Sequence, residues 1–594
     1  MNIFNSFREK LNCIIEDLQR QGVIPSDVEI SGISVEPPRE AKHGDLSTNA
    51  ALVLAKQAKG NPREFAGSLA PRLMKINGVI SVDIAGPGFL NVFFGLGFWH
   101  NLLRDVLNSG TNFGRSQIGG GNSILVEFVS ANPTGPLHVG HARGAVYGDV
   151  LARLLSFSGF NVAREYYWND AGAQVDKLAA SVYTRYLQKL DATDPAEPGD
   201  DNGAEVEYGG EYLIDLAGDL VERHGEKWRD VPRRDWLPIV REISIEAMKD
   251  LIRSDLRLLG TTFDNEVSES KLVSDGKVNA AISNLKSKGL IYEGRLKPPK
   301  GKRRDWEERD QILFRATLFG DEVDRPLQKS DGTWTYFASD IAYHFDKFCR
   351  GYDKMVNIWG ADHGGYVSRV KAAVSALTED VAKLEVRLCQ MVRLFDGGDP
   401  IKMSKRSGSF ITVSELIEVM DKKVGTGLGQ GVVRFIMLTR KNDAPLDFDF
   451  AKAAEQSRDN PMFYVQYAHA RICSVNRRVE SNPNLCKLAN ATDIERLVQP
   501  DELALIKLIA DWPRQVEAAA VAYEPHRIVV YLNDLASAFH ALWNKGNNNL
   551  DSRFIVETDP SLTRARLGLI SAVRIIISGG LETLLGITPQ YEMR

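Results

Sequence analysis

The sequence predicts an α/β protein with an all-α carboxy-terminal part, and three observations carry that reading. A short apolar run, Ile124 to Val129, is broken by Asn132, Pro133, Gly135 and Pro136 and followed by helix-spaced apolar residues from His141 to Phe157, a succession of strand, tight loop and helix. Strand-like runs return much later, at Lys354 to Trp359 and Leu384 to Leu394. Beyond residue 450, Leu503 to Ile509, Val516 to Val521, Ile528 to Leu542 and Leu567 to Ile577 carry apolar residues at helical spacing, as in a helical bundle.

The elements divide the chain into three parts. Residues 1–118 open with a helix, Phe4 to Gln19, whose Phe4, Phe7, Leu11, Ile14, Ile15 and Leu18 form one stripe. Val79 to Ile84 and Phe89 to Phe94 then read as strands around the Gly86-Pro87-Gly88 turn, completing a small α/β module. Gly119-Gly120-Gly121 is a natural linker into a Rossmann-type core over residues 119–450, with an inserted region at about 171–335 whose Asp191 to Gly210 stretch reads as an exposed loop. Residues 451–594 form the bundle. Its most apolar stretch, Leu567 to Ile587, is interrupted by Arg574, Gly579, Gly580 and Glu582, which fits a packed helix pair better than a membrane span.

Composition narrows the function. With 594 residues and 43% hydrophobic content the chain can bury several cores, so it is not a disordered protein. A net charge of −5 excludes a protein coated in positive charge. RNA contact would use local patches: Lys297, Lys300, Lys302, Arg303 and Arg304, or Arg471, Arg477 and Arg478 along one helix. Each patch read alone fits a solvated face equally well. Cys13, Cys349, Cys389, Cys473 and Cys486 are scattered without C-x-x-C pairing, which supports neither a disulfide framework nor a zinc site. Met1 to Lys10 lack the apolar run of a secretory signal, so a cytoplasmic enzyme is expected.

Two short segments carry the chemistry. His138-Val139-Gly140-His141 lies at the predicted helix start, where unpaired backbone N–H groups favour anions and two imidazoles three residues apart can donate to phosphate oxygens. Gly140 leaves room for a purine or ribose near the backbone. Far downstream, Lys402-Met403-Ser404-Lys405 follows the turn-rich Asp396 to Pro400 and precedes an alternating Ser409 to Val413. Lysines there can neutralise a triphosphate as charge moves to its leaving pyrophosphate. Alone, the histidines fit a solvated helix start and the lysines a surface loop. Together, in that order, they outline an ATP-activating site.

These segments resemble the HIGH and KMSKS signatures of class I aminoacyl-tRNA synthetases, and Ser130-Ala131-Asn132-Pro133-Thr134-Gly135-Pro136-Leu137-His138-Val139-Gly140-His141 is similar to the arginyl-tRNA synthetase version. Val139 stands for isoleucine and Arg406 for the final serine of KMSKS. Lys42 to Ala51 and Ala85 to Asn91 resemble that family's extra amino-terminal domain, and Tyr464 to Arg471 the start of its helical anticodon-binding domain.

The resemblance implies activation of L-arginine by ATP to arginyl-adenylate and pyrophosphate, then transfer to the terminal 2′-hydroxyl of tRNA(Arg), often with tRNA needed for the first step. Mg²⁺ would be bound through the nucleotide, with no metal site of the protein's own. It places Gly135, His138, Gly140, His141, Lys402, Met403, Ser404 and Lys405 at ATP, with His138, His141, Lys402 and Lys405 catalytic. It places Asp340 and Glu269 on the guanidinium with Tyr336 beside them, Glu127 and Asn132 at the amino-acid backbone, and Asp362 and His363 in the same cleft. A guanidinium is a planar fork of donors that calls for buried carboxylates. Glu127 is conspicuous on physical grounds alone, because a carboxylate in a buried strand must be paired or face a site. A second, editing site is not expected, since unsatisfied buried carboxylates reject a near-isostere; the inserted region would instead shape the pocket and the path of the tRNA acceptor end. A monomer without DNA or membrane partners is expected. The rival readings are a class I synthetase for another amino acid and a noncatalytic tRNA-binding paralogue.

Overall fold

The computed structural model describes residues 2–191, 208–296, 310–329, 331–401, 410–457, 459–481 and 493–593. Lys402, Met403, Ser404 and Lys405, the cluster from Lys297 to Arg304, most of the Asp191 to Gly210 stretch and Cys486 lie outside the described residues. The chain folds as two compact units, Gly119–Gln456 and a second in which Met1–Ile118 joins Ser457–Arg594.

The central unit is built on strand β1 (Ser123–Phe128) and helix α1 (Val139–Phe157). β2 (Asn161–Trp168) follows, then three helices, α2 (Ala173–Leu190), α3 (Tyr212–His224) and α4 (Arg233–Leu258), before β3 (Asn265–Ser268). Next come the short α5 (Glu269–Ser274), α6 (Lys277–Ser287), a small antiparallel sheet of β4 (Ile291–Gly294), β5 (Gln311–Phe314) and β6 (Arg325–Pro326), and α7 (Tyr336–Cys349). β7 (Lys354–Gly360), α8 (Val367–Thr378) and β8 (Lys383–Cys389) complete a five-stranded sheet in the order β8-β7-β1-β2-β3, every pair parallel. The region 171–335 is therefore two excursions rather than one insertion, because β3 returns to the main sheet between them.

The run Leu384 to Leu394 also divides. It breaks at Gln390-Met391, where Gln390 N–H donates to the Asn442 carbonyl at 2.8 Å, and its second half becomes β9 (Val392–Asp396). β9 pairs with β10 (Asp399–Pro400) and β11 (Leu446–Asp449) in a separate sheet. The Lys402 segment thus follows β10 of this smaller sheet, not a strand of the main one. Ser409 to Val413 does not form the alternating strand its pattern suggests: among its described residues, Thr412 makes an isolated bridge to His138 and Val413 begins helix α9 (Val413–Val424).

Buried polarity in the main sheet is arranged by register. Asn357, Glu127 and Glu165 are neighbours across β7, β1 and β2, all at most 4% exposed. Helix α7 answers them: Lys347 Nζ lies 2.6 Å from Glu127 and 3.1 Å from Asn357 Oδ1, Arg350 pairs with Glu165 at 2.6 Å, and Tyr343 donates to Glu165 at 2.8 Å. Helix α1 lies so close on β1 that a Cβ at Gly148 would stand 2.2 Å from the Phe128 ring. Gly148→Ala is expected to cost about 1–3 kcal/mol through overpacking, seen as a lowered thermal midpoint; an unchanged midpoint would refute it.

The second unit joins the two ends of the chain. Helix Ile3–Arg20, capped by Asn2, buries Phe4, Phe7, Leu11, Ile15 and Leu18, and the antiparallel sheet orders Val35–Glu36, Leu46–Thr48, Phe89–Phe94 and Val79–Ala85. Against these pack helices Pro461–Ser481, Pro500–Ala510, Trp512–Ala522, His526–Asn548 and Pro560–Ser578. The Glu517 carboxylate accepts from Asn2, Asn5 and Ser116 at 2.6, 2.5 and 2.7 Å. Trp512, 1% exposed, donates to the Phe113 carbonyl and fills the space beside Gly114, where a Cβ would stand 2.5 Å from the indole. The apolar stretch expected to form a helix pair is instead continuous: Pro560–Ser578 runs directly into a π-helical turn, Gly579–Leu585. Gly579 and Gly580 do not break it, because their missing side chains admit Thr111 backbone and the Leu532 side chain. This apolar helix is a core element, 67% of its most apolar window being buried.

Candidate active site

The site residues sit where the parallel strands end, which is where open α/β sheets present ligands. Ser130, Asn132 and His138 follow β1, Asp170 follows β2, Glu269 follows β3, and Asp362 and His363 follow β7.

His138 is the N-cap of α1, and the helix begins at Val139, two residues earlier than its apolar spacing indicates. Its Nδ1 accepts the Gly140 N–H at 3.1 Å, and its own N–H donates to His141 Nδ1 at 3.3 Å, a reciprocal box with the rings stacked at 3.9 Å. Because each Nδ1 is an acceptor, each neutral ring carries its proton on Nε2, the nitrogen that can donate to an anion. Gly140 serves this fold-back: a Cβ there would stand 2.8 Å from His138 Cε1. Gly135 makes room similarly for Tyr212, whose hydroxyl donates to the Thr134 carbonyl at 3.0 Å.

The chain just after the Lys402 segment lies on this box. Val139 N–H donates to the Ile411 carbonyl at 3.1 Å, Val413 N–H to the Leu137 carbonyl at 2.8 Å, and the Phe410 ring meets His138 edge-on at 5.9 Å. Upstream, Asp449 accepts from Gly397 and Gly398 N–H at 3.1 and 3.0 Å, fixing the β9–β10 turn that leads to residue 401.

A second cluster is acidic. Glu269, 5% exposed, begins α5, and its carboxyl is pushed up by burial and by the Asp170 charge, against a Ser339 hydrogen bond. Asp340 is half-buried on α7, accepts from the Tyr366 hydroxyl at 2.5 Å, and is raised to about 7 by burial and then by the charges of Glu269 and Glu127. Glu127, 4% exposed, meets the pairing condition through Lys347 and through Ser130 Oγ at 3.0 Å. At the centre stands Tyr167, stacked on Tyr343, its buried hydroxyl without a hydrogen-bond partner among the described residues and under the charges of Glu269, Asp340, Glu127 and Asp170. Lys347 pairs with Glu127 and Lys249 lies 3.1 Å from Asp170, so Glu269 and Asp340 are the two carboxyls of the cluster without an ion-pair partner among the described residues, and together they can accept hydrogen bonds from a cation.

The remaining expected residues lie nearer the surface. Asn132 is exposed and donates to Gln174 at 2.6 Å; Tyr336 is 63% exposed, with its hydroxyl over Gly172. Asp362 and His363 are exposed and 3.7 Å apart in a 3₁₀ turn, and it is Tyr366 of that turn that reaches Asp340. Asp264, just before β3, accepts the Arg164 N–H at 2.8 Å. Among the described residues no group of three or more His, Cys, Asp and Glu is placed to hold a metal.

Sequence reasoning passes over Tyr167, Asp170, Lys347 and Tyr366. Asp170 had a readable signal: it lies two residues past the run Asn161 to Trp168, a β-rich stretch behind Gly159.

Residues 103–426 match the family described as tRNA synthetases class I (R), catalytic domain; residues 5–94 match the arginyl tRNA synthetase N terminal domain, and 465–593 the DALR anticodon binding domain. The arginine–tRNA ligase of Rhodospirillum rubrum is 51% identical and that of Ruegeria pomeroyi 49%, each with 100% of both chains covered. The chain belongs to the arginyl-tRNA synthetase family. In fold, the arginyl-tRNA synthetase of Thermus thermophilus is similar, with a TM-score of 0.71 at 22% identity over 99% of this chain and 100% of that one. The family's catalytic domain covers the histidine box and the acidic cluster, and its anticodon-binding domain covers the helices of residues 465–593.

Proposed function

We propose that the protein is an arginine–tRNA ligase that joins L-arginine to tRNA(Arg) at the expense of ATP. The observation that carries the reading is the bonding of Leu137–Val139 to Ile411–Val413, which sets the flank of the lysine signature against the histidine box. Asp340 and Glu269 supply carboxylates for the guanidinium, with Tyr336 at the rim. Asn132 and the lone pairs that Lys347 and Ser130 leave on Glu127 hold the amino-acid backbone, and Asp362 and His363 line the approach.

The arginine carboxylate attacks the α-phosphate in line, forming the acyl–phosphate bond as the bond to pyrophosphate breaks. Mg²⁺ would come with the nucleotide, held by its phosphates, and would share their charge. His138 and His141 donate Nε2–H to phosphate oxygens beside Gly135 and Gly140, while Lys402 and Lys405, with Met403 and Ser404 between them, neutralise charge on the departing pyrophosphate. The tRNA 2′-hydroxyl then attacks the activated carbonyl and releases AMP. No protein nucleophile takes part.

Aminoacylation of a total tRNA pool with radiolabelled arginine is expected to charge one isoacceptor group, with lysine at least about 10³-fold poorer, because it leaves two acids unsatisfied. Charging by another amino acid alone, or by none, would overturn the reading.

A further inference from the structure

Both backbone polar groups of Leu137, the residue before His138, are tied to distant elements. Its carbonyl accepts from Val413, and its N–H donates at 2.8 Å to Oδ2 of Asp255 on α4, in the helical excursion between β2 and β3. Asp255 is 2% exposed and has no ion-pair partner among the described residues. Burial pushes its carboxyl up to about 6, opposed by the Leu137 N–H, so near neutrality it is largely ionised.

A buried carboxylate is a costly way to satisfy one backbone N–H, since a neutral side-chain oxygen would accept it with a smaller desolvation penalty. What the carboxylate adds is a charge-assisted and therefore stiffer bond. The peptide it grips is the entry to the histidine box: His138 has extended backbone (φ −108°, ψ 171°), caps α1 with its ring and donates its N–H to His141. Any drift of the Leu137 peptide would be passed to both imidazoles.

We propose that Asp255 is a positioning residue for adenylate formation, acting on His138 and His141 through the Leu137 N–H. This deepens the reading of the reaction given above and rests on it for the activity arm of the test.

The full-length chain is compared with Asp255→Ala and Asp255→Asn in arginine-dependent ATP–pyrophosphate exchange with tRNA present, and by amide hydrogen exchange over residues 132–141. Asp255→Ala is expected to lower kcat roughly tenfold to a hundredfold, leave the KM for arginine within about twofold and deprotect the Leu137 amide. Asp255→Asn, which keeps an acceptor oxygen but loses its charge, is expected to fall between the alanine variant and the wild type in both kcat and protection. A folded alanine variant with wild-type kcat, or an asparagine variant as slow as alanine, overturns the proposal. If the alanine variant does not fold, complete loss of Leu137 protection in Asp255→Asn overturns it instead. Wild-type protein without arginine-dependent exchange would refute the proposed reaction, and the hydrogen-exchange arm would still decide the role of Asp255.

Discussion

Asp340→Ala is expected to lower kcat/KM for arginine by about 10²- to 10³-fold, the scale for truncating one partner of a desolvated charge pair, and most of the loss should fall on the KM for arginine rather than for ATP. Asp340 already carries the burden of an acidic neighbourhood: it is raised to about 7 by burial and by Glu269 and Glu127, with the Tyr366 hydroxyl and Lys347 pulling the other way. On the proposed reading, removing it leaves Glu269, also raised, as the one remaining carboxyl for the guanidinium.

The same arrangement sets a pH dependence. Below about 7 Asp340 is predominantly protonated and offers one oxygen and a competing proton; above it, the carboxylate is formed and can accept paired N–H bonds. The KM for arginine should therefore fall as pH rises from 6 to 8, with a limiting slope of about tenfold per pH unit on the acid side. Arginine binding should release protons in that range. Asp340→Asn should flatten the profile and bind weakly throughout. A wild-type KM for arginine that is constant over this range, and equal to that of Asp340→Asn, would remove Asp340 from the pocket.

How far these residues could be read in advance depended on whether their partners were local. The strand, loop and helix around His138 are written in adjacent residues, and the structure moves only the helix start, because His138 supplies its own cap. Glu127 stands out in a buried strand, yet its partner Lys347 lies 220 residues away on α7. β2 is hidden from a search for apolar runs by Arg164 and Glu165, and Glu165 is tolerable only because Arg350 and Tyr343 meet it in three dimensions. The continuous appearance of Leu384 to Leu394 conceals a change of sheet at Gln390-Met391, where Asn442, Arg143 and Leu446 take the backbone groups of Leu388, Gln390 and Met391. Asp255 is one acid among many on a charged helix, and only the position of the Leu137 N–H distinguishes it. The two ends of the chain read as separate parts because the bonds that join them, such as Glu517 to Asn2, span hundreds of residues.

His138→Asn is expected to separate catalysis from folding. Asparagine is among the best N-caps, so its side-chain oxygen can take over the Gly140 N–H that His138 Nδ1 now accepts. Thermal stability should stay within about 1 kcal/mol of the wild type. What asparagine cannot restore is a donor at the reach of Nε2, so ATP–pyrophosphate exchange should fall by about 10²- to 10³-fold, as when one preorganised donor to developing charge is removed. His138→Ala should lose the same activity and, in addition, the cap, costing about 1 kcal/mol more. Stable His138→Asn protein with full exchange activity would mean that the ring is there to cap the helix and not to meet phosphate. Combining His138→Asn with Lys405→Ala then asks whether imidazole and ammonium act on one charge. If both stabilise the same departing pyrophosphate, the double variant should lose less than the product of the two single losses, since groups that work as a unit are not additive. Multiplicative losses would place them on separate steps.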